Sequence, residues 1–168
     1  LPIYNKNLVA KEKVPKSWKD LLDPQWSGRI AHGDPDYSGN VTNQVNCMVK
    51  LFGWDFYEKL SKNNVIVVES ATAVPRMVLT GEALIGAASP DGDTREYIMK
   101  GEPLAFAYPV EGSIFLIFYG AILKTAPHPN AAKVFVNWFL SREGQTIFQE
   151  IMNTPLDQAE TMHEDITK

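Results

Sequence analysis

Three short, mostly apolar segments in this chain each run into a loop of hydroxyls and carboxylates, and each loop leads into a stretch of helical spacing. "RIA" (29–31) enters "HGDPDYSGN" (32–40), "VIVV" (65–68) enters "ESATA" (69–73), and "ALIGAA" (83–88) enters "SPDGD" (89–93). Strands that alternate with helices need crossover connections, so the pattern predicts an α/β fold with a mainly parallel sheet flanked by helices. In such sheets ligands collect at the carboxyl ends of the strands. All three loops hold that position, so they are expected to converge on one face.

The intervening segments follow the same logic. From Ser38 onward Val41, Val45, Met48, Val49, Phe52 and Phe56 recur at three- and four-residue steps, the stripe of an amphipathic helix first interrupted at Gly53. Ser17 is placed as N-cap of a short helix over 17–23, stopped by Pro24. "TAVPRMVLTGE" reads as a helix with Pro75 in its first turn, "SPDGD" as a loop, "REYIMKGE" as a short helix and "LAFAYP" as a strand. The apolar run within "SIFLIFYGAIL" (113–123) reads as a long buried strand, and "NAAKVFVNWFLSREGQTIFQEI" as one strong helix capped by Asn130. The tail 153–168 is polar and weakly periodic.

Composition removes several function classes. Sixteen basic against twenty acidic side chains leave a net charge of −4, the wrong sign for a nucleic-acid surface. The longest apolar run, 114–123, falls well short of the ~20 residues a membrane-spanning helix needs. Cys47 is alone, which excludes an intrachain disulfide, and it sits inside a helical stripe as packing. His32, His128 and His163 lack metal-ligand spacing, so no metal or cofactor is expected. Neither a phosphate-binding glycine–lysine–serine/threonine end nor a G-x-S-x-G elbow occurs, and no enzymatic chemistry is implied. The opening "LPIYNKNLV" reads as a chain entered midway.

Two loops carry candidate chemistry. Ser38, Gly39 and Asn40 would open the long helix, where free N–H groups and the helix dipole favour negative charge. The alternative is Asp36 or Ser38 as an ordinary N-cap. Asp91 and Asp93 suit a cationic group or a shared metal, and equally a solvated turn; "SPDGDTREY" lacks a calcium-loop carboxylate set.

"PKSWKDLLDPQWSGRIAHGDPDYSGN", "GWDFYEKL", "VPRMVLTGEALIGAA", "YPVEGS" and "GAILKTAPHPNAAKVFVNWFLSREGQ" together resemble the periplasmic solute-binding proteins of ABC transporters. The likeness is to the cluster of ferric-ion, phosphonate and sugar-phosphate binders, and it is collinear over about residues 1–150. It implies a periplasmic binding protein-like (type II) fold of two α/β lobes that close on a solute. This chain would supply the C-terminal lobe, with the N-terminal lobe missing. Residues 1–24 would hold the outgoing crossing strand and a short helix, 25–112 the second lobe, 113–152 the returning strand and helix, and 153–168 a tail.

Carried over position by position, the resemblance implies ligand-binding roles for Asp34, Ser38, Gly39, Asn40, Ser70 and Thr72. Asp91 and Asp93 fill the third loop, and Glu111 at the returning hinge faces the cleft or serves a turn. Ferric binders carry adjacent tyrosines in that third loop; Tyr97 alone departs from the pattern, which argues against iron. The implied function is capture of a small polar solute, phosphorylated, polyhydroxylated or a polyamine, for an inner-membrane ABC permease. The implied location is the periplasm, or the cell exterior on a lipid anchor. The rival reading is the ligand-sensing effector domain of a transcriptional regulator, which shares the architecture and would need an attached DNA-binding element.

Overall fold

A computed structural model describes residues 1–115 and 120–152. The chain divides into two compact units, Leu1–Leu116 and Ile117–Lys168. The first holds a five-stranded sheet of β1 (Ile3–Asn5), β2 (Ile30–Gly33), β3 (Ile66–Val68), β4 (Ile85–Gly86) and β5 (Leu104–Phe106), in the spatial order β3-β2-β4-β1-β5. β2 pairs in parallel with β3 and β4, while β1 runs antiparallel to β4 and β5. Four strands therefore point one way and β1 alone reverses, so the sheet is mixed yet mainly parallel, as the alternation of strands and helices predicts.

Period-two alternation sends neighbouring residues to opposite cores. Ile30 and Ile85 join a cluster with Trp18, Leu21, Trp26, Met48, Phe56 and Leu60. Ala31 joins Ile3, Val74, Val78, Ala83 and Leu104 on the other face. The first face is covered by α1 (Gly39–Phe52) and α2 (Asp55–Ser61), separated at Gly53, whose φ of 74° ends α1. The second is covered by α3 (Val74–Thr80), with Pro75 in its first turn, and α4 (Asp91–Met99). Ser17 caps a 3₁₀ turn over Trp18–Leu22 through a capping box with Asp20, as its position before "WKD" predicts.

Close packing of α3 on the sheet depends on Gly86. A Cβ there would lie 2.5 Å from Val74 Cγ1 and 2.7 Å from Ile3 Cγ1. Gly86→Ala is expected to lower stability by about 1–3 kcal/mol through overpacking, read as a fall in the urea midpoint with an unchanged slope.

The second unit contains α5 (Pro129–Phe139) and α6 (Arg142–Met152), where a single helix capped by Asn130 was expected. The N-cap position falls on His128, with Pro129 in the first turn. The break lies at Ser141. Its hydroxyl donates to Trp138 O at 2.6 Å and accepts from Gly144 N at 3.2 Å, so it closes one helix and opens the next.

Two further expectations differ. "SPDGD" is not wholly loop: α4 begins at Asp91, with Pro90 as its N-cap residue in extended backbone (φ −63°, ψ 141°) and acidic residues suited to a first turn. In the run 113–123, residues 113–115 and 120–123 form no strand, and Leu116–Tyr119 lie outside the described residues, as does the tail 153–168. Apolarity marks burial, but a strand also requires a neighbour for its N–H and C=O groups. Ile114 packs against the first core, and among the described residues no backbone hydrogen bond joins it to a strand.

Candidate functional site

Because β2, β3 and β4 are mutually parallel, the loops after them leave the sheet at one edge. Asp34 N donates to Val68 O at 2.7 Å, fastening the first loop to the end of β3. Beneath the loops Val41, Ala71 and Ala88, one from each connection, form a small buried cluster. The buried Gln44 of α1 reaches the third connection, donating from Nε2 to Ala87 O at 2.7 Å. The connections that carry Asp34, Ser38, Gly39, Asn40, Ser70, Thr72, Asp91 and Asp93 thus all start from the same end of the sheet.

Their side chains are not equally available. Ser38 holds the N-cap position of α1 in extended geometry, and its carbonyl accepts from Thr42 N at 2.9 Å. Its hydroxyl makes no capping bond, and the N–H groups of Gly39, Asn40 and Val41 find no acceptor among the described residues. Asp34 Oδ1 accepts from Asp36 N at 2.9 Å, and Thr42 Oγ1 donates to Pro35 O at 2.7 Å, so the loop is braced from within. The Ser70 and Thr72 hydroxyls bond each other at 2.8 Å, and Ser70 Oγ accepts from Thr72 N at 3.3 Å.

Asp91 pairs with Arg95 at 2.6 Å, and the guanidinium lies 5.4 Å over the Phe106 ring. Among the described residues Asp93 meets no partner side chain; partial burial, with the Glu96 charge beside it, raises its carboxyl above the usual range. Tyr97 packs into the second core among α3 and β5 neighbours.

Glu111 stands apart from the three loops. Its Oε1 accepts from Ser17 Oγ at 2.5 Å and its Oε2 from Trp18 N at 3.2 Å, while Trp18 Nε1 donates to Gly112 O at 3.1 Å. Desolvation pushes its carboxyl up, but the hydrogen bonds from Ser17, its own backbone and Trp18 outweigh this and hold it below the usual range. These bonds tie the Glu111 carboxylate to the start of the 3₁₀ turn over Trp18–Leu22.

Sequence reasoning passed over Gln44 and Thr94, and read His32 only as lacking metal-ligand spacing. Gln44 falls on the apolar stripe between Val41 and Met48, and a polar residue there is the signal. Thr94 is fully buried, and its Oγ1 meets Ser89 Oγ at 2.6 Å, fixing the third loop to α4. His32 is buried at the end of β2 with Nδ1 2.6 Å from Gly33 O, which assigns the proton to Nδ1. Its Nε2 and the hydroxyl of Tyr57, edge-on at a centroid distance of 6.1 Å, have no hydrogen-bond partner among the described residues.

Burial holds the His32 pKa below its ordinary value, against the hydrogen bond to Gly33 that raises it. The unfolded chain therefore binds this proton first as pH falls through about 6.5. His32 is expected to contribute stability that is complete above that pH and lost below it, by up to about 1.4 kcal/mol per pH unit. Urea midpoints of the parent chain and His32→Gln measured between pH 7.5 and 5 test this; equal slopes against pH would refute it.

A model of the family described as Bacterial extracellular solute-binding protein matches residues 1–168. The chain belongs to that family. Among its relatives, an uncharacterized protein of Haemophilus influenzae is 33% identical over 164 residues, covering 89% of this chain and 46% of its own length. A putative 2-aminoethylphosphonate-binding periplasmic protein of Salmonella typhimurium is 25% identical over 173 residues, again covering 89% and 46%. Among solved structures, a substrate-binding protein of an ABC transporter from Agrobacterium tumefaciens superposes with a TM-score of 0.77 at 21% identity, over 92% of this chain and 48% of that one. A periplasmic binding protein of Actinobacillus pleuropneumoniae, solved with fructose-6-phosphate, gives 0.70 at 29% identity, over 90% and 50%. The fold is thus the periplasmic binding protein fold, and this chain spans about half the length of these relatives.

Proposed function

We propose that this chain is the second lobe of a solute-binding protein that delivers a small polar solute to an inner-membrane ABC permease, from the periplasm or the outer cell surface. One observation carries the reading: the Ser38 hydroxyl and the N–H groups of residues 39–41 stand uncommitted where three connections converge. Donors of this kind, at the positive end of a 14-residue helix, favour a phosphoryl, phosphonyl or hydroxyl-rich solute. Some relatives carry names of this chemistry, 2-aminoethylphosphonate, phosphoglycerate and fructose-6-phosphate, while others are named for ferric ion or thiamin. A polyamine is the weaker candidate, because Asp91 is already neutralised by Arg95. Binding needs no covalent step; hydrogen bonds made only in the closed form shift the lobes together.

Gly39→Pro is the discriminating variant. Gly39 is the first residue of α1, where proline is tolerated, and Ser38 at φ −136° and ψ 112° already has the geometry a following proline demands. No atom lies within 4 Å of a Cβ built there. The substitution thus deletes one donor and keeps the helix. Loss of a hydrogen bond to a charged group costs about 1.5–3 kcal/mol, so Gly39→Pro and Ser38→Ala should each weaken binding about tenfold or more. Calorimetry on the full-length protein with 2-aminoethylphosphonate, phosphoglycerate and fructose 6-phosphate is the measurement. Binding unaffected by both variants would remove the site from this end of the sheet.

A further inference from the structure

Gln44 is a polar residue on the buried stripe of α1, with Val41 one turn before it and Met48 one turn after, both in apolar clusters. A buried amide gives up its water, so its N–H groups need acceptors inside the protein. Gln44 Nε2 finds Ala87 O at 2.7 Å, 43 positions along the chain. A carbonyl oxygen can only accept, which orients the NH2 group of the amide toward the strand. Ala87 N donates in turn to Ala31 O at 2.8 Å, continuing the β2–β4 pairing one residue beyond Gly86. The acceptor that Gln44 meets is therefore anchored in the sheet.

The other buried amides of the first unit do something different. Asn5 Nδ2 donates to Val78 O and Leu79 O in the last turn of α3, and Asn63 Nδ2 to Leu21 O and Asp23 O at the end of a 3₁₀ turn. Both close helix ends. Gln44 closes none; it crosses from mid-helix to another connection. Gly39, Asn40 and Val41 precede it by three to five residues, so their N–H groups stand about 4.5–7.5 Å ahead of it along the axis. Ser89, Pro90 and Asp91, where the third connection enters α4, follow Ala87 by two to four residues. Apolar contacts such as those among Val41, Ala71 and Ala88 have no preferred direction, whereas a hydrogen bond fixes distance and angle together.

We propose that Gln44 is a positioning residue for solute binding: its bond to Ala87 O sets the donors of residues 38–41 in register with the third connection. Gln44 itself touches no solute. The proposal rests on the solute site placed above at the start of α1.

Two variants of the full-length protein test it. Gln44→Met keeps an unbranched, helix-compatible side chain in the core and deletes the donor. Gln44→Glu keeps the shape; its carboxylate repels Ala87 O, but its protonated form donates where the amide did. Burial raises such a carboxyl above the ordinary value of about 4.3. Calorimetry between pH 8 and 5 with 2-aminoethylphosphonate, phosphoglycerate and fructose 6-phosphate gives the affinities. Each is divided by the parent's at the same pH, which removes titration of the solute and of His32. Gln44→Met should bind about fivefold or more weakly at every pH. Gln44→Glu should match it at pH 8 and return to within about twofold of the parent by pH 5.

Urea midpoints recorded alongside separate the two roles, since a purely structural bond lowers the midpoint and leaves the affinity of the folded protein intact. Parental affinity in both variants, or a Gln44→Glu protein as weak at pH 5 as at pH 8, would overturn the proposal. Parental affinity in Gly39→Pro as well would overturn the site with it; weakened binding in Gly39→Pro alone would overturn only the role of Gln44. In the solute-free protein the amide signals of residues 39–41 should move in Gln44→Met and return as Gln44→Glu is acidified. Stationary signals there would count against the proposal without any solute.

Discussion

Gly33→Val is expected to cost the chain both its solute binding and several kcal/mol of stability. Gly33 ends β2, and a Cβ on it would lie 2.7 Å from Val41 Cγ2 and 3.1 Å from both N and Cα of Ala71. Two of those three contacts are backbone, which cannot rotate away. Val41 and Ala71 are themselves buried with Ala88 in the cluster that unites the three connections. Even one added methyl group in so tight a place costs about 1–3 kcal/mol, and valine adds three carbons. Relief can come only by moving α1 away from the turn that opens α3, which spreads the donors of residues 38–41 from Ser70 and Thr72. Urea unfolding should show a loss of about 3 kcal/mol or more, and calorimetry no measurable binding. Gly33→Ala should fall between the two. A Gly33→Val protein with parental midpoint and affinity would show that the connections are not locked together at this point.

Much of this arrangement is legible in the sequence because it rests on local chemistry. Ser17 before "WKD", Gly53 after the Val41–Phe52 stripe and Pro75 in a first turn announce their helix boundaries through capping and backbone geometry. Strand direction also follows, since crossover helices force β2, β3 and β4 to be parallel. The features that escaped depend on contacts far apart in the chain or on residues that serve two purposes. Aspartates in "PDGD" fit a solvated turn and a helix first turn equally well, and the fold places them in the helix. Ser141 within "FLSREG" suits a helix surface until its hydroxyl is seen to bond Trp138 O and Gly144 N. Glu111 bonds Ser17, 94 positions away, a contact that no local pattern announces. The availability of Ser38, against the mutual engagement of Ser70 and Thr72, is likewise a matter of geometry that residue identity does not carry.

The other large effect concerns the second unit. Along α5 and α6, Val134 is 69% exposed, Phe135 60%, Trp138 38%, Ile147 39% and Phe148 41%. These residues are not scattered: Phe135 lies 5.9 Å from Trp138 and 6.0 Å from Phe139, which meets Phe148 edge-on at 5.4 Å. A contiguous aromatic face of this kind rarely stays in water. Burying each large side chain fully is worth about 1.5–3 kcal/mol, so a few of them outweigh much of the entropic cost of association. The 168-residue chain, produced alone, is therefore expected to self-associate through this face, with a second copy supplying the cover. Sedimentation velocity should show a dimer or larger species at micromolar concentration, and Phe135→Asp with Trp138→Asp should return it to monomer without shifting the urea midpoint of the first unit. Both substitutions fall on exposed positions, so loss of association would not reflect unfolding. A monodisperse monomer for the parent chain would mean that α5 and α6 find their cover within the same chain.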